Sequence, residues 1–242
     1  MLFIELCKYV AYLNNFNRSG KTMKKTKILT IANRKGGAGK STCAAHLSLI
    51  AARRGMKTIL IDLDPQKTLE TWWKKREEEN PFLTDIDPQK IEDVISNLND
   101  HDFDLCIIDT PGDTSVNATS GLKVADLVLI PSKPTAPDLQ AIGRTIATIK
   151  NLDKPFLFVI TQAVARTKLA MQGASVLSEF GTVAPSTIGN RIAYANAMQA
   201  GSSAADEDKL ASEEIESVWN FISSRLFDME VGNAKEKVRF DV

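Results

Sequence analysis

The chain has 242 residues, 43% of them hydrophobic and 25% charged, an ordinary globular composition that excludes a disordered, collagenous or coiled-coil protein. Lys plus Arg and Asp plus Glu stand at 30 each, so no net charge announces a polyanionic partner. Cys7, Cys43 and Cys106 have neither metal spacing nor an even disulfide framework, which points to a reducing, cytoplasmic setting, and no uncharged apolar run nears the ~18 residues of a membrane span.

Residues 1–26 stand apart, with five basic residues and one acid. Glu5 and Lys8 interrupt the apolar start, which makes it a poor secretion signal. Leu2, Leu6, Val10 and Leu13 share a helical face, so a short membrane or partner helix is one reading. The favoured reading is an extension outside the fold, and Met23 shortly before the first strand suits an upstream start.

From residue 27 the pattern alternates strands and helices. Strands are expected at Lys27–Ala32, Lys57–Asp62, Phe103–Asp109, Asp126–Pro131 and Pro155–Thr161, with weaker ones at Phe82–Ile86 and Thr182–Ala184. Helices fit over 40–54, 67–79, 88–99, 115–123, 138–150, 168–180, 190–199 and 208–227. Runs such as LCIID and LVLI are apolar at successive positions, as strands covered on both faces require. The prediction is an α/β fold with a doubly wound, mostly parallel sheet flanked by helices. It spans 27–227 as one domain, and 228–242 read as a C-terminal tail.

The strongest signal is KILTIANRKGGAGKST, residues 27–42. A β run enters a glycine-rich turn and a helix leaves it. Gly36, Gly37 and Gly39 let the backbone curl so that amide N–H groups, that of Ala38 among them, face phosphate oxygens. The following helix adds the positive end of its dipole. Lys40 supplies a point charge to the β- and γ-phosphates, the Ser41 hydroxyl suits Mg²⁺, and Thr42 suits the α-phosphate. Where the standard phosphate loop has its first glycine, this chain has Arg34, followed by Lys35.

The segment N-x-K-G-G-x-G-K-S-T resembles the deviant Walker A loop of ParA-type ATPases and their MinD relatives. The resemblance implies a P-loop ATPase using ATP and Mg²⁺, in which Lys35 crosses a dimer interface to the partner's nucleotide. TILIDLDPQKT, residues 58–68, resembles the family's second motif. It places Asp62 and Asp64 at the carboxyl end of a strand, where parallel sheets bind ligands. The resemblance implies that Asp64 orients the attacking water and Asp62 acts nearer the metal. FDLCIIDTPGDT, residues 103–114, reads as Walker B, with Asp109 holding a metal-bound water and Gly112 turned toward the γ-phosphate, in a loop that changes state on hydrolysis.

Later segments match more loosely. LVLIPSKPTAPDLQA, residues 127–141, resembles the stretch from a central strand into an interface helix, with Asp138 at the helix start. Gln162 and the loop near Pro185 are candidate base contacts. The likeness covers roughly 26–227 and implies a short form lacking the helix-turn-helix domain that the family often carries at its N-terminus. No arginine finger in cis is assigned, which suits slow basal hydrolysis. His46 reads as a packed histidine and Cys106 as core; Trp72 and Trp73 either pack or contact a partner.

The function implied is DNA partition, of a plasmid or a chromosome. An ATP-bound homodimer, nucleoid-associated in the cytoplasm, binds nonspecific DNA and is released when a ParB-like centromere-binding protein stimulates hydrolysis. Arg166, Lys168 and Arg191 are the candidate DNA-phosphate contacts. The alternative is a MinD-like membrane-cycling ATPase, which needs an amphipathic helix; the helix over 208–227 is acidic in its first half, so a membrane partner is disfavoured. A kinase or ligase would need an acceptor motif, which is not seen, and a scaffold without turnover is opposed by intact Lys40, Asp64 and Asp109.

Overall fold

A computed structural model describes residues 25–113, 115–165 and 167–236. The extension expected over 1–26 lies outside them except for Lys25 and Thr26.

Six strands form one sheet: β1 (Lys27–Ile31), β2 (Thr58–Asp62), β3 (Phe82–Thr84), β4 (Leu105–Asp109), β5 (Leu127–Ser132) and β6 (Phe156–Ile160). Their order is β3-β2-β4-β1-β5-β6, and every pairing is parallel. The successive apolar residues have a simple cause. Leu29, Ile31, Leu60, Ile107, Leu129 and Val159 join one core, while Ile28, Ile61, Ile108, Val128 and Ile160 join the cores on the opposite face. Both faces are dry, so no alternation with polar residues survives.

The helices are α1 (Lys40–Arg53), α2 (Thr68–Trp73), α3 (Ile91–Asp100), α4 (Val116–Lys123), α5 (Ala136–Asn151), α6 (Leu169–Ser178), α7 (Ile192–Ala200) and α8 (Lys209–Glu236). Chain order diverges on the two sides of β1, with β4 on one flank and β5 on the other. This switch point leaves a crevice at the carboxyl end of β1, and the glycine-rich turn starts there.

Three elements differ from expectation. The helix expected over 67–79 stops at Trp73; Glu77, Glu78 and Glu79 would put three negative charges at the negative end of its dipole. The strand expected at Thr182–Ala184 is a single bridge from Val183 to Phe158, and 182–190 runs on beside β6 through bonds such as Ile188 N–H to Ile160 O (2.8 Å). Helix α8 continues to Glu236 rather than ending at 227, taking up part of the expected tail, because no helix breaker stands directly after 227.

Trp72 is fully buried and donates to Ser202 O, and Trp73 donates to Pro81 O, so both tryptophans pack within the fold. Cys106 is buried in the core.

Candidate nucleotide-binding site

The turn between β1 and α1 is held from several sides. Asn33 donates from Nδ2 to Pro131 O (2.7 Å) and accepts the Lys35 N–H (2.9 Å). The Arg34 N–H donates to Thr145 Oγ1 on α5 (3.2 Å). Gly37 and Gly39 sit at φ +69° and +90°, left-handed values that a side chain resists. They turn the chain into the start of α1, whose first N–H groups have no side-chain cap. A helix N-terminus with free amides behind a glycine turn is an anion cradle.

Lys40 is buried, and its Nζ comes against Gly112: a methyl group built there would lie 3.4 Å from Nζ and 3.5 Å from the Gly36 nitrogen. The turn after β4 therefore closes over the phosphate loop. Lys35 is exposed instead. It lines an open cleft of about 570 Å³ with Arg34, Gly112, Pro137, Gln140 and Arg144. The two lysines five positions apart in sequence are thus in opposite settings.

The acids gather at the carboxyl ends of β2 and β4, where Asp62 and Asp109 are register partners. Asp109 is fully buried, and among the described residues neither carboxylate oxygen has a partner at ordinary hydrogen-bond distance. Burial pushes its pKa up to about 7, opposed by the nearby Ser41 hydroxyl and, more weakly, by Lys40. Asp62 accepts the Asp64 and Glu70 N–H groups (3.0 Å each). Burial raises its pKa while those amides pull it down. Asp64 is half-buried and accepts the Gln66 N–H on Oδ1 (2.9 Å), with no bond to Oδ2 among the described residues.

An orphaned buried carboxylate beside a serine hydroxyl and a phosphate cradle fits a hard divalent cation. Among the described residues, no group of three or more His, Cys, Asp or Glu is arranged to hold a metal alone. Mg²⁺ keeps waters and leans on substrate phosphates, so it needs no such all-protein cage.

The remaining candidates are dispersed. Gln162, expected to face a base, instead donates from Nε2 to Gly37 O (2.9 Å); its backbone sits at φ +51°, which aims the side chain at the loop. Pro185 is exposed, and Lys168 is exposed ahead of α6. Arg191, expected to face DNA, has its guanidinium on Glu214 Oε1 (2.7 and 3.0 Å) with Asp208 3.6 Å away. Arg166 lies outside the described residues. Asp138 is buried with its Oδ1 unpartnered, while Oδ2 accepts from the Thr135 hydroxyl.

Sequence reasoning missed three contributors. Thr161 donates to Ala38 O (2.8 Å). Lys133, just past β5, brings Nζ to 3.7 Å from where a Gly37 side chain would begin. Glu214 gathers Arg191, the Gly189 N–H (2.9 Å) and the Tyr194 hydroxyl (3.0 Å). None of these carries a local motif; only proximity to the described loops marks them.

The family model for the CobQ/CobB/MinD/ParA nucleotide binding domain matches residues 29–202. The chain belongs to this family. It is 30% identical over 145 residues to Protein ParA of Rhizobium radiobacter, covering 59% of this chain and 65% of that one. It is 29% identical to maintenance of carboxysome distribution protein A of Halothiobacillus neapolitanus, covering 79% and 94%. The chain spans 65% of the length of that ParA and of an Escherichia coli IncC. A Cyanothece McdA–ATP complex superimposes with a TM-score of 0.71 at 18% identity, over 83% of this chain and 97% of that one. The six-stranded parallel sheet and phosphate loop are thus the fold of the MinD/ParA group.

Proposed function

We propose that this chain is an ATP-dependent partition ATPase. It binds ATP and Mg²⁺, pairs with a second copy across the nucleotide, holds duplex DNA without reading its sequence, and lets go when a ParB-like partner speeds hydrolysis. The observation that carries the reading is the contrast between Lys40 and Lys35. Lys40 is buried under Gly112, where one set of phosphates would sit. Lys35 is exposed on an open cleft beside Arg34 and Arg144, where a second molecule can approach.

The chemistry follows from that geometry. The amides of 36–42 and Lys40 would cradle the phosphates. Ser41 directly, and Asp109 through water, would hold Mg²⁺, which when bound neutralises charge growing on the β- and γ-oxygens. Oδ2 of Asp64 would accept a hydrogen bond from the attacking water and orient it. Asp62 supports Asp64 by fixing its backbone N–H.

A membrane-cycling role is less well supported. Val218, Trp219, Ile222 and Leu226 of α8 are all buried in the core, so that apolar face is not available to lipid. Among the described residues, no helix is long and apolar enough to cross a membrane. One observation favours a second reading of the cargo: the carboxysome protein matches over 94% of its own length, so a protein assembly carried on DNA is the alternative load.

The test is ATP turnover alone, with duplex DNA of unrelated sequence, and with anionic vesicles. The expected result is slow turnover, ATP-dependent retention on DNA and none on vesicles. ATP-dependent flotation with no DNA retention would overturn the reading.

A further inference from the structure

An anion cradle made of backbone amides has a geometric consequence. When successive N–H groups turn inward, the carbonyls of the same peptides turn outward, and buried carbonyls need donors. Ala38 is buried at 1% exposure. Its carbonyl is met by the Thr161 hydroxyl at 2.8 Å, and the carbonyl of Gly37 by Gln162 Nε2 at 2.9 Å. The Thr161 side chain also packs against Gly39, within 3.5 Å of where a side chain would begin.

The two donors come from the end of β6, more than a hundred residues from the loop. Their own backbone is pinned on both sides. The Thr161 N–H donates to Ser132 O (2.9 Å) and the Ala163 N–H to Ile188 O (3.1 Å). Between these bonds Gln162 is held at φ +51°. A non-glycine residue persists in that region only where its surroundings over-determine it, at a cost on the order of 1 kcal/mol or more. Here the strained conformation directs the side-chain amide at Gly37 O rather than outward.

We propose that Thr161 and Gln162 are positioning residues for the phosphate loop: they hold the Gly37 and Ala38 carbonyls outward so that the loop's amides face the nucleotide phosphates. The inference rests on the nucleotide-binding reading and deepens it, and it removes Gln162 from base recognition. The loop is set before any ligand arrives, so binding spends no free energy on ordering it.

The proposal separates phosphate contacts from base contacts. The experiment measures ATP and GTP affinity, and tripolyphosphate competition, for the wild type and for Thr161→Val, Thr161→Ser, Gln162→Ala and Gln162→Asn. Thr161→Val keeps the shape and removes the donor; the orphaned buried carbonyl should weaken ATP and tripolyphosphate alike, by about ten-fold. Thr161→Ser keeps the hydroxyl and should restore most of the affinity. Gln162→Ala should weaken ATP, GTP and tripolyphosphate by one common factor, leaving the ATP/GTP ratio unchanged, and Gln162→Asn should recover part of it. Thermal melting without nucleotide reports folding separately, and the half-buried Gln162 carries the test if Thr161→Val does not fold. If Gln162→Ala weakens ATP but leaves tripolyphosphate binding unchanged, Gln162 reads the base and the proposal fails. If both Thr161→Val and Gln162→Ala bind ATP as the wild type does, it fails as well. A wild type that binds no nucleotide would instead sink the reading beneath it.

Discussion

His46 accepts the backbone N–H of Ala204 on Nε2 at 3.1 Å while its Nδ1 lies 2.8 Å from Thr42 O. Ala204 N–H can only donate, so Nε2 must be the acceptor and Nδ1 must carry the proton. The ring is therefore fixed as one neutral tautomer. It joins the first turn of α1, directly behind the phosphate loop, to the connection between α7 and α8, and its edge meets Tyr194.

This arrangement makes stability depend on acid. Burial lowers the His46 pKa from 6.5 to about 4, against a smaller upward pull from its bond to Thr42. The unfolded chain takes up its proton near pH 6.5, the folded one only near pH 4. The stabilisation is thus complete above pH 6.5 and drains away as the pH falls toward 4, by at most about 1.4 kcal/mol per pH unit. Urea unfolding at pH 7, 6, 5 and 4.5 should show this slope, and His46→Gln should flatten it. An equal slope in the variant would assign the acid sensitivity to other groups.

Glu214 supports a second prediction. Its two oxygens take up Arg191, Gly189 N–H and the Tyr194 hydroxyl. These lash the 189–191 loop to α8, and that loop in turn bonds to 160–163 beside the phosphate loop. Glu214→Ala should lower stability by about 2 kcal/mol, because three donors lose a charged acceptor that is only partly screened by solvent. Arg191→Ala should cost stability too, by a smaller amount. If Arg191→Ala leaves the melting temperature untouched and weakens only DNA binding, its pairing with Glu214 is incidental.

The sequence reading reached the parts of the site that are contiguous in the chain. Gly36 to Gly39 form one turn that leads straight into α1, and Asp62 and Asp109 end apolar runs, so contiguous motifs, read with the family resemblance, pointed to the candidate cradle and acids. Most strands were legible for the same reason: short, largely apolar runs such as LCIID and LVLIPS suit strands covered on both faces. What stayed hidden is what crosses the fold. Thr161 and Gln162 reach the loop from 123 and 125 residues away, and no local pattern distinguishes a donor to a distant carbonyl from a surface polar residue. Arg191 illustrates the converse. Its charge suggested a DNA phosphate, but its acid partner lies 23 residues on, in α8.

Asp109 gives a third prediction. A buried carboxylate with no donor is costly to keep ionised. Asp109→Asn removes the charge at nearly constant volume, so the nucleotide-free protein should melt at the same or a higher temperature. The same change should abolish the extra stabilisation that Mg²⁺ adds to bound ADP, since the carboxylate charge proposed to hold a metal-bound water is lost. Thermal shifts with ADP, with and without Mg²⁺, read both effects. A variant that still gains stability from Mg²⁺ would remove Asp109 from the metal site.

The two lysines divide the fourth. Lys40→Ala takes a buried charge from the phosphates and should weaken ATP binding on the order of 100-fold. Lys35→Ala leaves the cradle intact, so a single chain should bind ATP nearly as before. Light scattering should then show less ATP-dependent dimer than for Asp64→Ala, which should keep the dimer and lose turnover. Equal dimer in Lys35→Ala would detach the exposed lysine from the interface.

The last prediction concerns DNA. The chain carries equal numbers of basic and acidic residues, so a single copy has little net attraction for a polyanion. On the proposed partition reading, binding comes from a local face, and a dimer would double that face and the phosphates it can neutralise. Each neutralised phosphate releases a condensed counterion, so affinity should fall steeply and linearly on a log–log plot against salt. Duplexes of unrelated sequence should bind alike, because phosphate contacts carry no base information. Of the basic candidates described, Lys168 is exposed and has no acid partner among the described residues, whereas Arg191 is tied to Glu214. Lys168→Ala should therefore weaken every duplex equally and lower the salt slope by roughly one unit per copy, with ATP affinity unchanged. Arg191→Ala should act mainly through stability. Gel-shift titrations at several salt concentrations, with ATP and with ADP, measure all of this. A Lys168→Ala dimer with an unaltered slope would move the DNA face away from the start of α6.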